Sequence, residues 1–173
     1  PRDDHSFHVT LHIGERLVGC IRAMPLHSSK NDALLDDVMG HGKLDRSLAA
    51  MHVKRDHCIE VSRLILDSEF RASFLARHLV ASIWAVGCRQ GAEMIVAASG
   101  TRDYQYRFFG RFGGRPLPQS EPIPAHAFDD HIHPMYAWTR ARPHGFSALV
   151  RQMSEYFFPG EQEHMSPLPV EAG

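Results

Sequence analysis

The sequence predicts an α/β domain, a sheet with helices packed against it, and three stretches carry that prediction. "CIEVSRLIL" and "AEMIVAAS" are apolar runs of strand length, and between them lies a stretch with helical periodicity. "FHVTLHIGERLVGCIRAM" splits near Gly14–Glu15 into two strand-like halves, which is a hairpin signal. A strand–helix–strand unit pairs in parallel through a right-handed crossover. A hairpin is antiparallel, so the sheet is mixed.

The bulk numbers are consistent with one domain over residues 1–158. The 173 residues are 43% hydrophobic and 23% charged, enough for a real core and ordinary in balance. Nineteen basic against twenty acidic residues leave a net charge of −1, which removes any general electrostatic case for nucleic acid or an anionic membrane. No apolar run reaches the length of a membrane span, and no signal-peptide pattern opens the chain. Cys20, Cys58 and Cys88 sit in apolar stretches without a CxxC pair, which reads as reduced, buried thiols in a cytoplasmic protein. Pro1 stands almost inside the first strand, so an upstream segment is expected.

After the hairpin, from Ser28 to Arg55, Leu34, Leu35, Val38, Leu44 and Leu48 fall at helical spacings and predict one or two short helices. In "SEFRASFLARHLVASIWAVGCRQG", Phe70, Phe74, Leu75, Leu79, Ile83 and Val86 form one apolar face, with Ser68 as N-cap and Gly91 as C-terminal stop. A second helix is expected over Arg102 to Phe112, ending at Gly113–Gly114. Pro116 to Pro124 reads as a loop, "PMYAWTR" as a late strand, and Phe146 to Phe158 as a final amphipathic helix. Residues 159–173, with three prolines and several acids, read as a disordered tail.

One strand carries an anomaly. Glu60 and Arg63 lie three apart in "HCIEVSRLIL", and residues three apart in a regular strand point to opposite faces. They serve one site only if a β-bulge, expected near Val61–Ser62, resets the alternation. The competing reading puts Glu60 on a solvent face and Arg63 in a surface ion pair. Arg22, in "LVGCIRAMP", reads alone as a snorkelling edge residue.

Taken in order, G-C-x-R-x-x-P at Gly19 to Pro25, E-x-S-R at Glu60 to Arg63, and the following strand–helix–strand unit resemble the acyl-homoserine-lactone (autoinducer) synthases. They also resemble the related N-acyl amino acid synthases. Both belong to an acyl-carrier-protein-dependent branch of the GCN5-related N-acetyltransferase (GNAT) superfamily. The resemblance runs from about Phe7 to Arg140. It implies a mixed, twisted sheet whose central strands splay into a V-shaped slot for an acyl-phosphopantetheine arm. It also implies a bacterial N-acyltransferase with Glu60 as the general base and Arg22 and Arg63 organising the site. The donor is then an acyl thioester, with no tightly bound cofactor, and the partners are an acyl carrier protein and an amino acid.

Acetyl-CoA enzymes of that superfamily use a glycine-bearing loop to cradle pyrophosphate. The corresponding stretch here is "RASFLA", Arg71 to Ala76, with Phe74 and Leu75 where the glycine is expected. That departure favours a carrier-protein arm with one phosphate. Arg71 is then placed to meet the phosphate and Arg77 the acidic carrier, with Ser62 and Phe74 beside the substrate; the alternative for both arginines is an ordinary solvated helix face. Autoinducer synthases use S-adenosylmethionine and carry an acidic residue in an N-terminal segment, of which Asp3 or Asp4 is a candidate remnant. Tyr104, Tyr106, Phe108 and Phe109 are read as core, with an acyl pocket as the alternative.

His126, Asp129, Asp130, His131 and His133 match none of the standard zinc spacings and read as a polar loop with incidental imidazoles. The leading expectation is an N-acyl amino acid synthase. An autoinducer synthase and a non-catalytic acyl- or carrier-binding domain stand behind it.

Overall fold

The computed structural model describes residues 2–28, 33–71, 73–102, 105–126 and 129–160. Its sheet runs β1 (Phe7–Ile13), β2 (Arg16–Pro25), β3 (Cys58–Leu66), β4 (Met94–Gly100), β7 (Asp130–Trp138), β5 (Arg115–Pro116), and β6 (Ile123–Ala125) also pairs with β7. Among these pairs β3–β4 is parallel and the others are antiparallel, as the hairpin and the crossover unit require. Gly14 takes the positive φ of 59° at the hairpin turn. This is the mixed, helix-flanked sheet that the hairpin and the strand–helix–strand unit predict.

Strand alternation divides the core into two layers. Ile59 and Val61 of β3 and Ile95 and Ala97 of β4 face α3 (Leu75–Arg89) and α5 (His144–Phe157), where Trp84, Phe146 and Val150 complete the packing. Cys58, Met94 and Val96 face the other way, onto α1 (Leu34–Met39) and α2 (Lys43–Ala50), through Leu35, Leu44 and Leu48. Strands buried on both faces read as nearly continuous apolar runs, which is why "CIEV" and "MIVA" show no polar alternation.

Several boundaries differ from the sequence reading. Ser68 does not cap α3. Asp67 accepts from Glu69 N at 3.2 Å and caps a short 3-10 turn, while Arg16 holds Asp67 and Glu69 at 2.5 and 3.0 Å. The helix proper begins at Leu75, whose N–H donates to Ser73 Oγ at 3.2 Å. Its end is as expected: Gly91 follows the C-cap with a φ of 69°.

The second helix, α4 (Gln105–Gly110), is shorter than expected. The amides of Phe112 and Gly114 both bond back to Phe109 O, which turns the chain before Gly113. The proline-rich loop is bounded by β5 and β6, since its two ends pair with β7. Cys58 is buried, but Cys20 and Cys88 are only half-buried. Residues 161–173 of the expected tail lie outside the described residues, as does Tyr104. No helix among the described residues is long and apolar enough to cross a membrane.

Candidate active site

The site lies where the middle of the sheet comes apart. β3 and β4 pair over Cys58–Met94, Ile59–Ile95, Glu60–Val96 and Val61–Ala97, and the ladder ends there. β3 runs on to Leu66 against β2, and β4 runs on to Gly100 against β7. The two strands therefore diverge into a slot, with backbone polar groups of β3 beyond Val61 facing the opening. A cleft of about 570 Å³ occupies it, walled by Ser62 to Leu66 of β3, Ala98 of β4, and Phe108 and Phe109 of α4. Val61 and Phe109 also line a small apolar cavity with Ile83, Trp84 and Ile95. The cleft and the apolar cavity thus share Val61 and Phe109 in their walls.

The bulge is present, one to two residues later than expected. Arg22 pairs with Ser62 and Cys20 with Ile65, so two steps on β2 face three on β3. The extra residue falls at Arg63–Leu64, and Arg63 takes a left-handed φ of 55°. Ile59 and Val61 before the bulge and Leu64 and Leu66 after it all pack on the α3 side. Glu60, Ser62 and Arg63 are thereby turned to the opposite side.

There the sequence motifs meet. Arg22 Nε donates to Ser62 Oγ at 2.9 Å, and its Nη1 donates to Asp3 Oδ1 at 2.8 Å. Arg63 Nη1 donates to the same carboxylate at 3.1 Å. The Arg22 side chain is 4% exposed and so is no snorkelling edge residue. Arg63, 54% exposed, does form the surface ion pair that the simpler reading expected. The hydrogen bond from Arg22, with Arg63 adding to it, holds the Asp3 carboxyl below the usual carboxylate range. His8 Nε2 lies 3.9 Å from Asp3.

Glu60 is not on a solvent face, being 1% exposed. Its Oε2 accepts from Leu34 N at 2.9 Å and its Oε1 from Leu35 N at 2.8 Å, so it closes the N-terminus of α1.

The four donor-side residues separate. Ser62 and Arg71 line the cleft, and Arg71 Nε also reaches Leu66 O at 3.4 Å. Arg77 and Phe74 do not line it. Arg77 donates to Gly145 O at 2.8 Å, tying α3 to α5, and Phe74 is 72% exposed against His78. Phe108 and Phe109 pack on the core, as expected, and also wall the cleft.

The histidine loop has its own structural bonds. Asp130 accepts from Thr101 Oγ1 at 2.8 Å and from the amides of Arg102 and His131, Asp129 pairs with Arg102, and His133 packs on Tyr106. No group of three or more potential metal ligands gathers among the described residues.

Asp3 is the residue whose contacts sequence reasoning missed. The register places it: His8 of β1 stands opposite Arg22, and Asp3 lies one short turn upstream. The sequence offered Asp3 or Asp4 as a candidate for the N-terminal acid of the resemblance, but not its contacts with Arg22 and Arg63.

No family model and no curated protein matches the chain. Solved structures do. The CoA-dependent acyl-homoserine lactone synthase BjaI, with SAM and isopentyl-CoA, superposes with a TM-score of 0.61 at 21% identity, covering 87% of this chain and 65% of that one. FeeM, an N-acyl amino acid synthase from uncultured soil microbes, gives 0.61 at 14% identity over 83% of this chain and 75% of that one. An aminoglycoside 6'-N-acetyltransferase complexed with coenzyme A gives 0.54 at 14% identity over 80% and 76%. At such identities the likeness shows a shared fold, that of the GNAT-like acyltransferases. The chain spans just under two thirds of the length of BjaI.

Proposed function

We propose that this chain is an N-acyltransferase that moves a fatty acyl group from a phosphopantetheine thioester on an acyl carrier protein to the amine of an amino acid. The observation that carries this reading is the opening of the β3–β4 ladder at Val61–Ala97, with the Arg22–Ser62–Arg63 group at its edge. The thioester arm enters the slot, and the acyl tail passes Val61 and Phe109 into the apolar interior. Likeness in fold to FeeM, an N-acyl amino acid synthase, and to the CoA-dependent BjaI supports acyl transfer in general, and that to FeeM also an amino-acid acceptor.

The acceptor nitrogen attacks the thioester carbonyl, forming the C–N bond of a tetrahedral intermediate. Backbone N–H groups of β3 facing the slot stabilise its oxyanion. Collapse breaks the C–S bond and releases the pantetheine thiol, which takes up a proton. Glu60 accepts the amine proton through a water. Arg71 at the cleft meets the phosphate of the arm, while Arg77 and Phe74 on the outer surface of α3 contact the carrier protein.

A second reading has its own support, since BjaI uses an acyl-homoserine lactone chemistry with SAM bound. In that case the acceptor is S-adenosylmethionine, and methylthioadenosine is released. A third reading, an acyl- or carrier-binding domain without turnover, draws on the structural work Glu60 already does for α1.

One experiment separates all three. The protein is incubated with lauroyl-carrier protein or lauroyl-CoA and either an amino-acid panel or S-adenosylmethionine, and products are read by mass spectrometry. N-lauroyl amino acids supported by the carrier protein are the expected result. Methylthioadenosine release selects the second reading. Carrier binding with no acylated product from any amine selects the third and overturns the proposal.

A further inference from the structure

Trp84, in the middle of α3, is 3% exposed, and no group of the described residues lies within hydrogen-bond reach of its indole N–H. Phe146 stands against the ring at 83° with 5.4 Å between centroids, and a ring face accepts an N–H weakly. Buried donors are nearly always bonded, so an indole N–H left in this state calls for an acceptor from elsewhere.

Trp84 is also a wall of the apolar cavity that shares Val61 and Phe109 with the cleft. Ile83, Ile95 and Met135 line the same space. Tyr136 borders it too, but its ring belongs to the opposite layer, against Trp138. Among the described residues lining the cavity, Trp84 therefore carries the one side-chain N–H on the α3 side.

Place along α3 gives the depth. Ala76 lines the cleft, and Trp84 lies eight residues on, about 12 Å at 1.5 Å per helical residue. An extended chain advances roughly 1.2 Å per bond, so that distance corresponds to about ten bonds of an acyl tail running along α3. The indole thus stands near the far end of a lauroyl chain and away from its thioester. A methyl end leaves the N–H unbonded. An oxygen there accepts from it, whereas the same oxygen in a cavity without the indole is buried unpaired.

We infer that Trp84 reads an oxygen near the far end of the acyl chain, so that the preferred donors are ω-oxygenated acyl thioesters. The inference rests on the acyltransfer reading and deepens it by naming the donor's tail. Trp84 is then a specificity-determining residue that takes no part in bond making at the thioester.

The test sets donors in competition. Lauroyl- and ω-hydroxylauroyl-carrier protein are mixed with an amino-acid mixture, and the product ratio, read by mass spectrometry, gives the ratio of their kcat/KM values. Wild type should favour the ω-hydroxy chain, and in Trp84→Phe that ratio should fall at least tenfold. Both donors meet the same molecules of the variant, so a loss of folded protein cancels. The ratio for β-hydroxylauroyl over lauroyl should not change. Equal ω-hydroxy ratios in wild type and Trp84→Phe overturn the inference, as does a loss of preference confined to the β-hydroxy chain.

A titration of the wild-type protein stands apart from turnover. With isotope-labelled tryptophan the chain gives two indole N–H signals in NMR, from Trp84 and Trp138. Free ω-hydroxylaurate should move the Trp84 proton downfield, as a new hydrogen bond requires, and laurate should not. If no amine is acylated, the acyltransfer reading fails while this titration still decides the role of Trp84. Equal shifts with both acids, or none with either, leave the N–H to Phe146 and overturn the inference.

Discussion

Glu60 caps a helix that it does not belong to: its Oε1 accepts from Leu35 N at 2.8 Å, across 25 residues of sequence. Ala33, at the N-cap of α1, has no side-chain oxygen to offer, so the first amides of that six-residue helix turn to β3. Glu60→Gln keeps one acceptor oxygen but sets an amide NH2 against the second N–H. A buried donor left without a partner costs about 1–3 kcal/mol. For a chain of this size that is a fall in Tm of roughly 2–12 °C by thermal denaturation. A Tm within about a degree of wild type would show that the cap carries no weight.

How far the sequence went can be read from that same strand. The layered mixed sheet was legible because buried apolar runs, a hairpin and a long periodic helix each follow from local chemistry. The bulge was legible as a need, since Glu60 and Arg63 could not otherwise face one way, but its placement was not. Where the extra residue falls depends on β2, whose Arg22 reaches Ser62 and thereby pins the register just before Arg63. The start of α3 was misread because Ser68 has the right chemistry for a cap, and only the Arg16–Asp67–Glu69 contacts reveal a separate turn. The ends of Glu60 and Asp3 were beyond reach, because each finds its partners on elements distant in sequence.

Gly19 explains the glycine in G-C-x-R-x-x-P. A Cβ at that position would stand 2.7 Å from Leu66 Cδ1, 3.0 Å from Leu79 Cδ1 and 3.1 Å from Ile65 O. Two leucine tips can shift, but the carbonyl of the paired strand cannot move without disturbing the ladder. Gly19→Ala should therefore destabilise by about 1–3 kcal/mol, the range for overpacking a filled core. Urea denaturation with an unchanged m-value would measure it, and a stability equal to wild type would mean β2 and α3 separate more easily than their packing suggests.

The Cys58 thiol should be inert. It is 2% exposed, and burial pushes its pKa up to about 12. Thiolate is the reactive form, so at pH 8 almost none is present. Iodoacetamide at that pH should label the half-buried Cys20 and Cys88 in the native protein and Cys58 only after unfolding. Peptide mapping reads the outcome, and rapid native labelling of Cys58 would show that the α1–α2 layer opens readily.

The bulge makes a backbone prediction independent of chemistry. Arg63 has a φ of 55°, a region glycine enters freely and β-branched residues avoid. Arg63→Gly should keep the Tm within a few degrees of wild type. Arg63→Val should lose about 1–3 kcal/mol to strain at the same position. Equal stabilities for the two variants would mean the bulge relaxes to a neighbouring residue.

The Asp3 contact carries a pH dependence whose sign follows from its partners. Arg22 first, and Arg63 after it, hold the Asp3 carboxyl below its ordinary value, so the folded pKa is depressed. A depressed carboxylate contributes stability that is fully present above its unfolded pKa, about 3.9, and lost as pH falls through the folded value. The turn should therefore stay docked through the neutral range and release only in acid. Carbon-detected NMR of the Asp3 carboxyl should show a midpoint below about 3.9 in the wild-type protein. In Arg63→Gln that midpoint should rise but stop short of the ordinary value, because Arg22 remains. A wild-type midpoint at or above 3.9 would mean that the two guanidiniums do not hold Asp3 in solution.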